Sequence, residues 1–219
     1  MKTHTKPNTL KKTRASKRGS AMQAIGTLEK NQDTFILTYG QFSLIDALMA
    51  ILRQTGPAHV SISTWTAAHA HLDRAMELME ASTFLSFRMI VDRSFKTRQP
   101  KYYQHMIHLF GADSIRAIRT HAKFMIIRND HWDIVVRTSM NLNENPRLEN
   151  IEISENKAFA EFFQLIVDDV FSEVGSEVML SDMPKLENTK DTEQFNLVSG
   201  NHINANELNE VKYTHVLND

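Results

Sequence analysis

His121-Ala-Lys123-Phe-Met-Ile-Ile-Arg128-Asn-Asp-His-Trp-Asp-Ile-Val-Val-Arg137-Thr-Ser139-Met-Asn141 is the stretch whose reading decides the fold. Two short apolar runs flank a polar turn, the pattern of a β-hairpin. Side chains alternate along a strand, so His121 and Lys123 point one way on the first strand, and Arg137, Ser139 and Asn141 share a direction on the second. With Asn129-Asp130-His131 as the turn, His121 faces Ser139 and Lys123 faces Arg137. Opposed cations repel across a sheet, an arrangement that makes most sense with an anion between them.

Outward from the hairpin, strand-like and helix-like segments alternate. Thr34 to Tyr39 suits a strand, Gly40 breaks it, and Ser43 can cap an apolar-periodic helix from Leu44 to Leu52, which Gly56-Pro57 stops. His59 to Trp65 reads as a strand, Ala67 to Met79 as a helix, Phe84 to Val91 as a strand, Tyr102 to Phe110 as a helix and Ser114 to Arg119 as a strand. This alternation predicts an α/β fold, a mixed and mostly parallel sheet with helices on both faces, into which the hairpin and a strand from Ile151 to Ser154 insert. Ala158 to Val174, with Phe159, Phe162, Phe163, Ile166, Val167, Val170 and Phe171, makes a closing amphipathic helix.

Here the chain resembles the phospholipase D superfamily, whose signature is His-x-Lys, four residues, Asp, then Gly-Ser-x-Asn downstream. The likeness spans roughly residues 33 to 175 and is nearest to the small single-motif nuclease-like members. It implies one phospholipase-D-like half domain. His121 matches the nucleophilic histidine and Lys123 the phosphate-binding lysine. Ser139 and Asn141 match the polar pair that completes the phosphate site, and Glu149 matches the acid that orients the histidine. Two positions depart from the signature: Arg128 stands where the aspartate is expected, with Asp130 two residues later, and Thr138 stands where glycine precedes the serine.

The resemblance also implies a mechanism. A neutral imidazole attacks phosphorus to give a phosphohistidine, a second histidine protonates the leaving oxygen, and neither metal nor cofactor takes part. With one motif per chain, two subunits pair as a homodimer to supply the two histidines.

Composition sets the surroundings of this site. The 219 residues are 42% apolar and carry a net charge of -1 with no cysteine, which excludes disulfides and thiolate metal sites and fits a reducing, cytoplasmic setting. No run approaches a membrane span, and the N-terminus lacks the apolar core of a signal peptide. Charge is unevenly placed. Lys2, Lys6, Lys11, Lys12, Arg14, Lys17 and Arg18 crowd the first 20 residues without an acid, and residues 88 to 137 carry ten Lys and Arg against four Asp and Glu. Residues 180 to 219 are polar and acidic. The domains expected are a flexible basic arm over 1–28, the α/β domain over 29–178, and a flexible acidic tail over 179–219.

Nucleic acid is the expected partner, with Arg119, Arg137 and the arm residues Lys11, Lys12, Arg14, Lys17 and Arg18 meeting its phosphates. The leading expectation is a metal-independent phosphodiesterase acting on nucleic acid at a dimeric site. The alternative is a nucleic-acid-binding or assembly protein that has kept the fold as a phosphate clamp and lost hydrolysis. Lipid phosphodiester hydrolysis ranks last, because the sequence shows no apolar exposed segment to dock a bilayer. His69, His71, His105 and His108 read better as helix-surface residues than as metal ligands. Trp65 and Trp132 suit packing anchors better than base-stacking positions.

Overall fold

The computed structural model describes residues 10–16, 19–65, 73, 83–142 and 146–176. Its centre is a sheet of eight strands: β1 (Leu10–Ser16), β2 (Gln32–Thr38), β3 (Ala58–Thr64), β4 (Phe84–Asp92), β5 (Ile115–Ile118), β6 (Phe124–Arg128), β7 (Asp133–Thr138) and β8 (Glu149–Glu155). They lie in the order β1-β2-β8-β7-β6-β3-β4-β5. The helices are α1 (Ala21–Ile25), α2 (Leu44–Thr55), α3 (Ser94–Arg98), α4 (Pro100–Phe110) and α5 (Lys157–Glu173). None of the described helices is long and apolar enough to cross a membrane.

The fold is α/β, with a mixed sheet and helices on both faces. Three pairings are parallel (β1 with β2, β3 with β4, β4 with β5) and four are antiparallel. The antiparallel share exceeds the mostly parallel expectation because β6, β7 and β8 do not dock at an edge. They fill the middle of the sheet, between β2 and β3.

Alternation sorts the side chains into two cores. Ile36, Ile62, Met89, Met125, Val136 and Ile151 bury on one face with Leu48 and Ile51 of α2 and Tyr103 and Met106 of α4. Ile90, Phe124, Ile126 and Val135 bury on the other, under Ala160, Val167 and Val170 of α5. Each such side chain contributes about 1.5–3 kcal/mol of transfer free energy, which holds the sheet between its helices. Local signals agree with these boundaries. Ser43 and Asp46 form the reciprocal capping box that starts α2, and Gly56, at φ 76°, ends it. Asn156 caps α5 by accepting from Phe159 N–H.

The expected flexible arm is corrected in its central part. Leu10–Ser16 adds β1 in parallel to β2, and α1 packs Ala21, Ala24 and Ile25 into the core. The cations of this segment do not all face solvent. Lys11, Thr13 and Ala15 point outward, whereas the Arg14 guanidinium donates to Gln23 O at 3.2 Å and Ala24 O at 3.3 Å, satisfying carbonyls at the end of α1. Lys17, Arg18, the helix expected over Ala67 to Met79 and the tail over 179–219 lie outside the described residues, Asp73 apart.

A second correction concerns exposed apolar surface. α5 packs on β6 and β7, and Phe35 and Leu37 of β2 are 36% and 38% exposed, in register with Glu152 and Asn150 of β8. An apolar strip therefore exists on this sheet face, contrary to the expectation of no exposed apolar segment.

Candidate phosphate-binding site

Strands β2, β3, β4, β5 and β7 run in one direction, and their C-terminal ends meet the N-terminal ends of β6 and β8 along a single sheet edge. The C-terminal edge of parallel strands is the usual place for ligands in α/β sheets. His121, Lys123, Ser139, Asn141 and Glu149 all lie at this edge.

His121 is exposed, on the connection between β5 and β6, which is held by Ser63 Oγ donating to Ala122 O at 2.9 Å and Ala122 N–H donating to Thr120 Oγ1 at 3.1 Å. Lys123 Nζ lies 3.4 Å from both ring nitrogens of His121 and donates to the His121 carbonyl at 3.2 Å. The ammonium thus sits against the imidazole, where it can meet an oxygen of a phosphorus bound to that ring. Partial burial pushes the Lys123 ammonium below the ordinary lysine range, while the Glu149 carboxylate acts to raise it. A partly desolvated cation binds an anion more strongly than a hydrated one.

Glu149 is buried and accepts from Ser139 Oγ, and Ser139 Oγ in turn accepts from Asn150 N–H at 3.0 Å. Among the described residues no hydrogen bond joins Glu149 to His121; the carboxylate orients Ser139 and acts electrostatically on Lys123. Asn141 Oδ1 is shielded from solvent and has no hydrogen-bond partner among the described residues. A buried amide oxygen left in this way usually awaits a donor. Lys123, Ser139 and Asn150 also border an open depression of about 400 Å³ that continues to Arg137, Glu152 and Phe163.

The hairpin register differs from expectation by one residue. The loop runs from Asn129 to Trp132, with Asn129 N–H donating to Trp132 O at 3.0 Å, and Asn129 Oδ1 accepting from His131 and Trp132 N–H at 2.9 Å each. Arg128 then pairs with Asp133 and Phe124 with Arg137, and Thr138 N–H donates to Lys123 O at 3.1 Å. Lys123 and Arg137 are therefore not opposed. Arg137 turns toward α5, ion-paired with Glu152 and 5.3 Å from the Phe159 ring. Arg128, in the position of the signature aspartate, holds Asp133 at 2.6 Å, and Asp130 borders a separate cleft with His59 and Arg88. Neither aspartate is at the His121 end of the hairpin.

Arg119 is exposed, two residues before His121. Lys11, Lys12 and Arg14 lie on the edge strand β1, and Arg14 is occupied by α1. His105 bonds Asp73 at 2.6 Å, and His69 and His71 lie outside the described residues. Trp132, under Lys30 Nζ at 3.9 Å, packs on the core as an anchor. Trp65 has a different neighbourhood. Its ring centroid is 5.9 Å from that of His121, and the Arg98 guanidinium lies 4.0 Å from its centre. The sequence reading missed Arg98; the only available signal was its place just beyond the C-terminal end of a strand expected to be parallel.

No family model matches this chain, and no curated protein does. Solved structures similar to it include a phospholipase D family member, Nuc from Salmonella typhimurium, with 16% identity, covering 55% of this chain and 81% of that one, at a TM-score of 0.39. NucT from Helicobacter pylori has 14% identity, covering 66% of this chain and 99% of that one, at 0.48. TrmBL2, an archaeal chromatin protein, has 9% identity, covering 70% of this chain and 57% of that one, at 0.45.

Proposed function

We propose that this protein is a phospholipase-D-like, metal-independent phosphodiesterase of nucleic acid whose working unit is a homodimer. The observation that carries this reading is the seating of the Lys123 ammonium 3.4 Å from both imidazole nitrogens of His121, at a sheet edge shared with Ser139, Asn141 and Glu149. The neutral imidazole of His121 attacks phosphorus. A nitrogen–phosphorus bond forms, the bond to the leaving oxygen breaks, and the partner's His121 gives that oxygen its proton. Water then attacks the phosphohistidine, losing its proton to the partner's His121 as the nitrogen–phosphorus bond breaks. Lys123 and the Asn141 amide stabilise the anionic oxygens. The amide oxygen of Asn141 suits the proton of a water or of a protonated phosphate oxygen, and its NH2 group a phosphate oxygen.

Two features favour the homodimer. One chain offers one His121 set, and the reaction needs an imidazole on each side of the phosphorus. The exposed Phe35 and Leu37, beside Asn150 and Glu152, supply apolar surface for a second copy close to the site. One observation favours the binding reading instead: Glu149 bonds Ser139 rather than His121, so that among the described residues no acid is hydrogen-bonded to the imidazole.

Cleavage of single- and double-stranded DNA, RNA and a chromogenic phosphodiester, with EDTA present, tests the proposal. Turnover that survives EDTA and is lost in both His121→Ala and Lys123→Ala supports it. Binding without turnover in the wild-type protein supports the clamp. Turnover unchanged in His121→Ala overturns both.

A further inference from the structure

Trp65 and Arg98 form a layered surface next to His121 that the phosphodiesterase chemistry does not use. Trp65 directly follows β3 and Arg98 closes α3 beyond β4, so adjacent parallel strands bring them together. The guanidinium lies 4.0 Å from the centre of the indole, close enough for stacking, and Trp65 has only a partly exposed ring, whereas Arg98 is exposed. Beneath it a chain of hydrogen bonds fixes the geometry. Arg98 Nε donates to Ser94 Oγ at 3.1 Å, Ser94 Oγ donates to Asp92, and Asp92 also accepts from Thr120 N–H at 3.1 Å, on the segment that carries His121. Burial opposes ionisation of Asp92, but these hydrogen bonds and the Arg98 charge hold its carboxyl below the ordinary range. The guanidinium is thus set over an aromatic ring, tied through Nε to Ser94, and exposed to solvent.

A bare phosphate site needs no such plane. A cation held only for its charge works equally well on a flexible stem, whereas a propped guanidinium offers a flat face for a nucleobase. We propose that Trp65 and Arg98 seat the base of the nucleoside that flanks the scissile phosphate, and so make the site specific for nucleotide diesters over diesters without a base. This rests on the phosphodiester reading of the His121 site. Because a paired base is already stacked in its duplex, the surface favours unpaired segments.

The test compares an ordinary single-stranded oligonucleotide with one of equal length and charge built from abasic units. Stacking of one base corresponds to roughly a 5- to 150-fold effect. The wild-type protein is expected to cleave and bind the ordinary strand better by that order, and Arg98→Lys and Trp65→Leu to lose the difference while retaining activity on the abasic strand. Arg98→Lys keeps the charge and a fold checked by circular dichroism. In His121→Ala, binding by fluorescence anisotropy reads the same preference without turnover. Equal treatment of both strands by the wild type, or an Arg98→Lys variant that discriminates as well as the wild type, overturns the platform and leaves the phosphodiesterase reading standing. Loss of all cleavage and all binding in the wild-type protein overturns both.

Discussion

Restoring the signature acid by Arg128→Asp is expected to weaken the protein without increasing its activity. Arg128 and Asp133 are the closing pair of the β6–β7 hairpin, 2.6 Å apart, with side chains 27% and 21% exposed, and Glu161 of α5 stands 3.9 Å from the same guanidinium. Removing this partly exposed ion pair costs about 1 kcal/mol. Placing a carboxylate directly across from Asp133, and toward Glu161, adds roughly 0.2–1 kcal/mol of like-charge repulsion. The sum, about 1.2–2 kcal/mol, corresponds to a Tm lower by roughly 2–8 °C for a chain of this size. Calorimetry at low ionic strength reads the shift, and the double variant Arg128→Asp with Asp133→Arg should recover most of it, because the pair is then reversed rather than broken. An Arg128→Asp protein that is as stable as the wild type, or that turns over faster, would refute the assignment of Arg128 to the hairpin and mark it as a lost catalytic position.

Glu149→Gln removes the charge that raises the Lys123 ammonium against the effect of burial. Lys123 should then lose its proton at lower pH, so the alkaline limb of phosphate binding or turnover moves down; an unmoved or rising limb would contradict the coupling. The two-imidazole mechanism requires one His121 neutral and its counterpart protonated, so kcat/KM should be bell-shaped in pH, and a flat profile counts against a dimeric site. Gly26 has φ 65°, and a Cβ there would lie 2.6 Å from the Arg14 guanidinium nitrogens. Gly26→Ala should therefore cost about 1–3 kcal/mol and speed amide exchange over Leu10–Ser16, measured by mass spectrometry, since strain and displacement of Arg14 act together.

Most of the architecture was legible because burial patterns repeat with the period of each element. The strands around Ile36, Ile62, Met89 and Ile153 and the helices around Leu48, Met106 and Val167 follow their apolar positions to within a few residues. Two features were not. Charge density in Leu10–Ser16 reads as a solvated arm, but a parallel edge strand needs only one neighbour, and Arg14 finds carbonyls of α1 that are distant from it in sequence. The hairpin register turned on whether Trp132 belongs to the loop or the strand. That depends on the Asn129 side chain accepting from two successive amides, a contact with no sequence period. A shift of one residue sets Arg137 across from Phe124 rather than Lys123, with Phe159 and Glu152 as its neighbours.

The shift clarifies the site rather than dispersing it. With Arg137 paired to Glu152, Lys123 is the cation seen in contact with His121, and its charge is tempered by Glu149 on β8, which sits at this edge only because β8 enters the sheet antiparallel between β2 and β7. Arg98 arrives from the opposite side through β4, over Trp65 from β3. The two cations therefore differ in chemistry: a partly buried ammonium beside the imidazole, suited to a phosphoryl oxygen, and a planar guanidinium beside the indole, suited to a base. A phosphodiester flanked by a nucleoside presents both partners in that order, whereas a phosphate ester without a base, or an inorganic anion, would engage the ammonium alone. Base-dependent binding that persists in Lys123→Ala, with phosphate binding that persists in Arg98→Lys, is the pair of results this division of labour requires; loss of both functions in either variant would show a single undivided anion site.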